Sequence, residues 1–131
     1  MREYTHVYGA GRLLADKVMT ADNLWLRGRG LLGRKPLTMN EGLLIKPCKG
    51  VHMFGMRHCI DVVFLTDDGV ITKLEARLPP MGFSICLHAC QALELAPGGI
   101  DHFGLSVGMR LTFCASANAE IMSSDPLPFE P

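Results

Sequence analysis

"IDVVFLTDDGVITKLEARL", residues 60–78, is the stretch on which the fold turns. Two runs rich in branched and aromatic side chains flank Asp67-Asp68-Gly69. Aspartate hydrogen-bonds its own main chain in a turn, and glycine takes a positive φ at no steric cost. The stretch therefore reads as an antiparallel hairpin. Its first run is apolar on both faces, with Ile60, Val62 and Phe64 alternating with Val63 and Leu65, as in a strand covered on two sides. Asp61 is the one charge in that run. A carboxylate buried alone is costly, so Asp61 needs a hydrogen-bonded partner, and an arginine is the natural one, Arg29 or Arg34 rather than Arg57.

Outward from the hairpin, "REYTHVY" (2–8) and "RLLADKVMTA" (12–21) read as strands joined by a turn at Gly9 and Gly11. Asp22 suits a helix N-cap before "NLWLRGRGLL" (23–32), a helix kept short by Gly28 and Gly30. Gly33 can cap its end, and Pro36 bars continuation. "EGLLIKP" (41–47), "VHMF" (51–54), "FSICLH" (83–88), "ALELAP" (92–97) and "MRLTFC" (109–114) are further strands, and "GGIDHFGLSVG" (98–108) suits one helical turn between glycines. About eight short strands with one or two short helices predict a mainly β, small barrel-like or sandwich domain over residues 1–114. Residues 115–131 end in "SSDPLPFEP" and read as an extended or loosely ordered tail.

The chain has 131 residues, 48% of them hydrophobic, which is enough for one core and too apolar for disorder. Net charge is zero but uneven. Residues 1–60 carry ten Lys/Arg against four Asp/Glu, a net +6, and residues 61–131 carry three against nine, a net −6. Halves of opposite sign interleaved in one fold attract each other. Balanced charge and only 7% aromatic residues argue against a nucleic-acid partner. Five cysteines cannot all pair within one chain. With no secretory apolar segment and no membrane-length span, they predict a cytoplasmic, reducing setting.

Several residues invite a chemical reading. Cys48, His52, His58, Cys59, Cys86, His88 and Cys90 are all ligands that zinc accepts, but no Cys-x-x-Cys pair occurs. On a single strand from Arg57 to Leu65, His58 and Cys59 face opposite ways. His52 and His58 share a face but lie about 20 Å apart along a straight strand. Cys86, His88 and Cys90 would share one face of a strand, and they are the one local trio with metal-like spacing. No metal or other cofactor is expected, since buried cysteines commonly serve as small hydrophobes. A nucleophilic cysteine needs a base in reach, and Cys48 or Cys59 meets His52 only if the chain bends between them. In "RGRGLLGRK" (27–35), arginine forks and exposed glycine N–H groups suit an anion, although the phosphate-loop pattern is absent. Glu94 faces away from Leu93 and Leu95, toward a partner or solvent. The methionines and Trp25 read mostly as core, with Met39, Met53, Met56, Met81 and Trp25 also suited to line a pocket mouth.

Three stretches line up in order: "RGLLGRKPL" with "EGLLIKPC", then "VHMFGMRHCIDVVFLTDDGVI", then "ALELAPGGIDHFGLSVGMRL". Together they resemble the conserved bacterial and archaeal proteins grouped as domain of unknown function 192, over roughly residues 22–113. The resemblance implies a compact, mainly β barrel or sandwich with small helical insertions, and it supplies no reaction. Many relatives resemble exported or envelope-associated proteins. Arg29 and Arg34 match the family's arginine-glycine stretch. His58 and Cys59 stand where relatives carry an aromatic residue and a proline, and Met53 stands where threonine is common.

These readings predict a non-catalytic binding or accessory domain for a small anionic or polar ligand, held by Arg29, Arg34, His52 and Arg57. Asp61 and Glu94 serve as structural polar ties. Two other classes are an enzyme using His52 with Arg57 or a cysteine on a polar substrate, and an interaction module that pairs with a protein partner through a sheet edge.

Overall fold

The computed structural model describes residues 4–21, 36–54 and 56–115. The helix expected at 23–32, the arginines Arg29 and Arg34, and all of the expected tail (115–131) except Ala115 lie outside these residues. Among the described residues there are nine strands and one short helix. They are β1 (Thr5–Gly9), β2 (Arg12–Ala21), β3 (Glu41–Ile45), β4 (Gly50–His52), β5 (Ile60–Leu65), β6 (Ile71–Leu78), β7 (Phe83–Ile85), β8 (Gln91–Leu95), α1 (Gly99–Phe103) and β9 (Leu111–Ala115).

Seven strands form one sheet in the order β6-β5-β8-β3-β2-β1-β9, and β4 pairs with β7 in a small second sheet. Pairing is antiparallel except between β2 and β3. The large sheet curls until its two ends meet. Val70 bridges Arg110, the Leu111 N–H donates to the Gly69 carbonyl (2.8 Å), and the Ile71 N–H donates to the Met109 carbonyl (2.8 Å). The result is a half-barrel, closed at one end by the tip of the β5–β6 hairpin.

The hairpin forms where the sequence predicts it, with Gly69 at φ 91. Glycine is required there for a second reason. A Cβ on Gly69 would lie 2.3 Å from the Leu111 carbonyl oxygen, so only glycine lets β9 close the seam. The strands are buried according to their place in the sheet. β5 and β8 lie in its interior and are buried along their whole length. Inside the curl, Val63, Leu65, Leu93, Leu95, Leu44 and Leu111 pack with Ile100 and Phe103 of α1. On the outer face, Ile60, Val62, Phe64, Leu43 and Ala92 pack under Val51 and Met53, which belong to β4 and the residues after it. The small sheet thus lids the outer face, and α1 plugs the inner one.

Candidate functional site

A cleft of about 270 Å³ opens at the hairpin end of the half-barrel. Leu44, Leu111 and Phe113 supply its apolar lining, and Lys46, Asp67 and Gln91 supply polar groups. Each is placed by a strand end. Lys46 follows β3, where its N–H donates to the Ala21 carbonyl (3.3 Å), and its side chain is exposed. Gln91 opens β8 and is buried. Its Nε2 donates to the Thr66 carbonyl (2.9 Å), which fixes the amide plane. Among the described residues its Oε1 accepts no bond. At the hairpin tip, Asp68 accepts from the Thr66 hydroxyl and from Arg110 Nη2 (3.0 Å). The Thr66 bond, together with the tip's own backbone, holds the Asp68 carboxyl below its usual range, with Arg110 adding to the effect. A tied hairpin tip, a fixed amide and an ammonium that bonds to nothing among the described residues can orient a small ligand bearing an anionic group. Barrel mouths are common ligand sites for this geometric reason.

Two carboxylates lie deep in the sheet, on opposite faces. Asp61 is fully buried on the inner face. Its Oδ1 accepts the Arg77 N–H (2.8 Å), and its Oδ2 accepts the Ile100 N–H in the first turn of α1 (2.9 Å). Arg77 sits where β6 bulges, between the pairs Ile60–Leu78 and Val62–Glu75, with φ 52. A bulge leaves an N–H without a ladder partner, and Asp61 accepts it. The polar tie expected at Asp61 thus runs to main chain of β6 and α1. The arginines named for it, Arg29 and Arg34, lie outside the described residues.

Glu94 is expected to face a partner or solvent, and the structure differs. It is 4% exposed, its cross-strand neighbours are Leu43 and Val62, and among the described residues its Oε2 has no hydrogen-bond partner. Burial among these side chains raises its pKa to about 7.

The predicted ligand residues His52 and Arg57 are exposed. His52 ends β4 with its ring 5.1 Å from that of Phe54, and Arg57 lies in the loop before β5. Among the described residues, no hydrogen bond joins His52 to Arg57 or to a cysteine. The strand supposed to run from Arg57 begins at Ile60, so His58 and Cys59 precede it. The supposed Cys86/His88/Cys90 strand face does not form either, because β7 stops at Ile85. Cys86 is buried beside the Thr72 hydroxyl (3.4 Å), whereas Cys90 is exposed. Among the described residues, no three His, Cys, Asp or Glu side chains converge as metal ligands. The five cysteines are thiols.

Lys46, Asp67 and Gln91 were not singled out from sequence. The visible signal was the Asp67-Asp68-Gly69 turn, but a turn alone does not say which strand ends surround its tip.

A family model described as "Uncharacterized ACR" (DUF192) matches residues 6–113. Two solved structures share the fold. One, from Sinorhizobium meliloti 1021, is provisionally described as a transcription regulator. It is 23% identical over 85% of this chain and 92% of its own, with a TM-score of 0.74. The other is a protein of unknown function from Novosphingobium aromaticivorans DSM 12444. It is 18% identical over 82% of each chain, with a TM-score of 0.71. No curated protein matches the sequence.

Proposed function

The chain belongs to the DUF192 family, and from that premise we propose that it is a non-catalytic binding domain for a small polar ligand carrying an anionic group. The ligand sits in the cleft at the hairpin end of the half-barrel. The observation that carries this reading is the cleft itself, where an exposed lysine shares the lining with a fixed amide, the Asp67 carboxylate and an Asp68 carboxylate already paired with Arg110, over an apolar floor. Lys46 supplies the charge for the anionic group. Gln91 Oε1 accepts from a donor on the ligand, and Asp67 selects for a second hydroxyl or ammonium. Leu44, Leu111 and Phe113 give the carbon skeleton a surface to cover. The volume suits a molecule of a few heavy atoms rather than a nucleotide.

Titration of the labelled chain with succinate, citrate, glutamate and inorganic phosphate, followed by amide NMR, tests this. At millimolar concentration at least one probe shifts the Gly69 backbone and Gln91 side-chain resonances, and Lys46→Ala removes the shift. If no probe moves cleft resonances in the unmodified protein, the reading fails.

A further inference from the structure

A second surface lies away from the cleft, on the small sheet. Met81, Phe83, Ile85 and Leu87 alternate along β7 and its flanks, with relative exposures of 65%, 67%, 55% and 73%. Phe54, 53% exposed, joins them from the neighbouring strand segment through its contact with His52. The residues between them, Ser84 and Cys86, are buried. The strand is thus turned with its large apolar side chains toward solvent and its small ones toward the core. An exposed apolar row of this size marks a contact surface.

The charge around it is one-sided. Residues 49–54 and 79–90, which carry this face, contain Lys49, His52 and His88 and no aspartate or glutamate, and the exposed Arg57 follows Phe54 by three positions. The nearest acid on the packed strand β6, Glu75, is occupied by the Ser84 hydroxyl (2.8 Å) and Lys73 (3.8 Å). Carbonyls at the end of β7 and just after it are occupied as well. Lys73 donates to the Ile85 carbonyl (3.0 Å), and Lys49 donates to the carbonyls of Leu87 (2.9 Å) and Ala89 (2.7 Å). A peptide adding itself as a strand needs those carbonyls, so the face is offered and the edge is not. Side chains that stand this far out of the surface suit insertion into a soft apolar layer, flanked by cations at headgroup level.

We propose that the row Phe54, Met81, Phe83, Ile85 and Leu87, with Lys49 and Arg57 beside it, seats the protein peripherally on an anionic phospholipid surface. Flotation of the full chain with vesicles tests this. The chain floats with equimolar phosphatidylcholine and phosphatidylglycerol, floats far less with phosphatidylcholine alone, and is released by high salt. The double variant Phe83→Ser/Leu87→Ser, whose sites are exposed, keeps the parent melting temperature and loses roughly tenfold or more in partitioning. Arg57→Glu weakens partitioning without touching the apolar row. No flotation with the anionic vesicles overturns the proposal, as does unchanged flotation of the double variant. So does a concentration-dependent dimer that the double variant abolishes, since a second copy would then be the occupant.

Discussion

Glu94 and Asp61 show how one residue type takes opposite roles on two faces of one sheet. Asp61 meets two backbone N–H groups, so its charge is answered locally. Asp61→Asn puts an amide where one acceptor stood and sets its NH₂ against a main-chain donor. Hydrogen bonds to charged groups each contribute about 1.5–3 kcal/mol, and a loss of that order in urea unfolding is expected. Among the described residues Glu94 Oε2 meets no such donor, and burial raises the pKa of Glu94 to about 7 from 4.5. The folded state therefore holds the proton more tightly than the unfolded chain. The associated stability is complete below about pH 4.5 and is lost as pH rises through about 7. The shift corresponds to about 3 kcal/mol in order of magnitude. Glu94→Gln keeps the shape and removes the ionisation. It is expected to flatten the pH dependence of unfolding between pH 5 and 8 and to be more stable than the parent at the alkaline end. Denaturant unfolding across that range checks it, and an unchanged slope would show that Glu94 does not titrate there. In sequence the two acids look alike, each a lone carboxylate among aliphatics. Only the bulge at Arg77 and the placement of α1 tell them apart.

At the scale of elements, turn chemistry was the most legible signal. The β1–β2 hairpin turns on Ala10 and Gly11 at φ 53 and 74, both left-handed. Glycine suits that region and alanine does not. Ala10→Gly is expected to stabilise the protein by up to about 1 kcal/mol, offset in part by unfolded-chain entropy; thermal melts check the direction. At Gly69 the opposite holds. Gly69→Ala pushes a Cβ into the Leu111 carbonyl and strains the turn, so a loss of about 2–4 kcal/mol is expected, with the seam opening first. Strand β7 is where sequence reasoning stops. Met-Gly-Phe-Ser-Ile-Cys-Leu alternates large and small, which fixes that the large set shares a face. It does not fix which face meets the core. The ordinary assumption buries Met81 and Phe83, and the structure exposes both. The phase is set by tertiary packing: Ser84 donates to Glu75 and Cys86 lies beside Thr72, on the side where Val51 of β4 and Phe64 pack.

The whole molecule is a curled sheet whose central strands are paired on both sides and whose closing seam is thin. β5, β8 and β3 share full ladders. The meeting of β6 with β9 rests on one bridge and a few hydrogen bonds around Gly69, Ile71, Gly108 and Met109. Native-state hydrogen exchange is expected to show the Leu111 and Ile71 amides opening well before those of Val63 and Leu93. Equal protection would mean that the half-barrel opens only as a unit. By itself the sequence determined the mainly β class, the two hairpins and the helical turn between glycines, because turn residues and two-residue periodicity are local properties of the chain, and its ordered motif stretches carried the family resemblance. The tertiary structure alone decided the rest. The cleft gathers Leu44, Lys46, Asp67, Gln91 and Leu111 from four separate strand ends. They become neighbours only through strand order and curl, which depend on pairings between distant segments. Likewise, β7 shows its apolar row to solvent because other strands had already filled the space behind it.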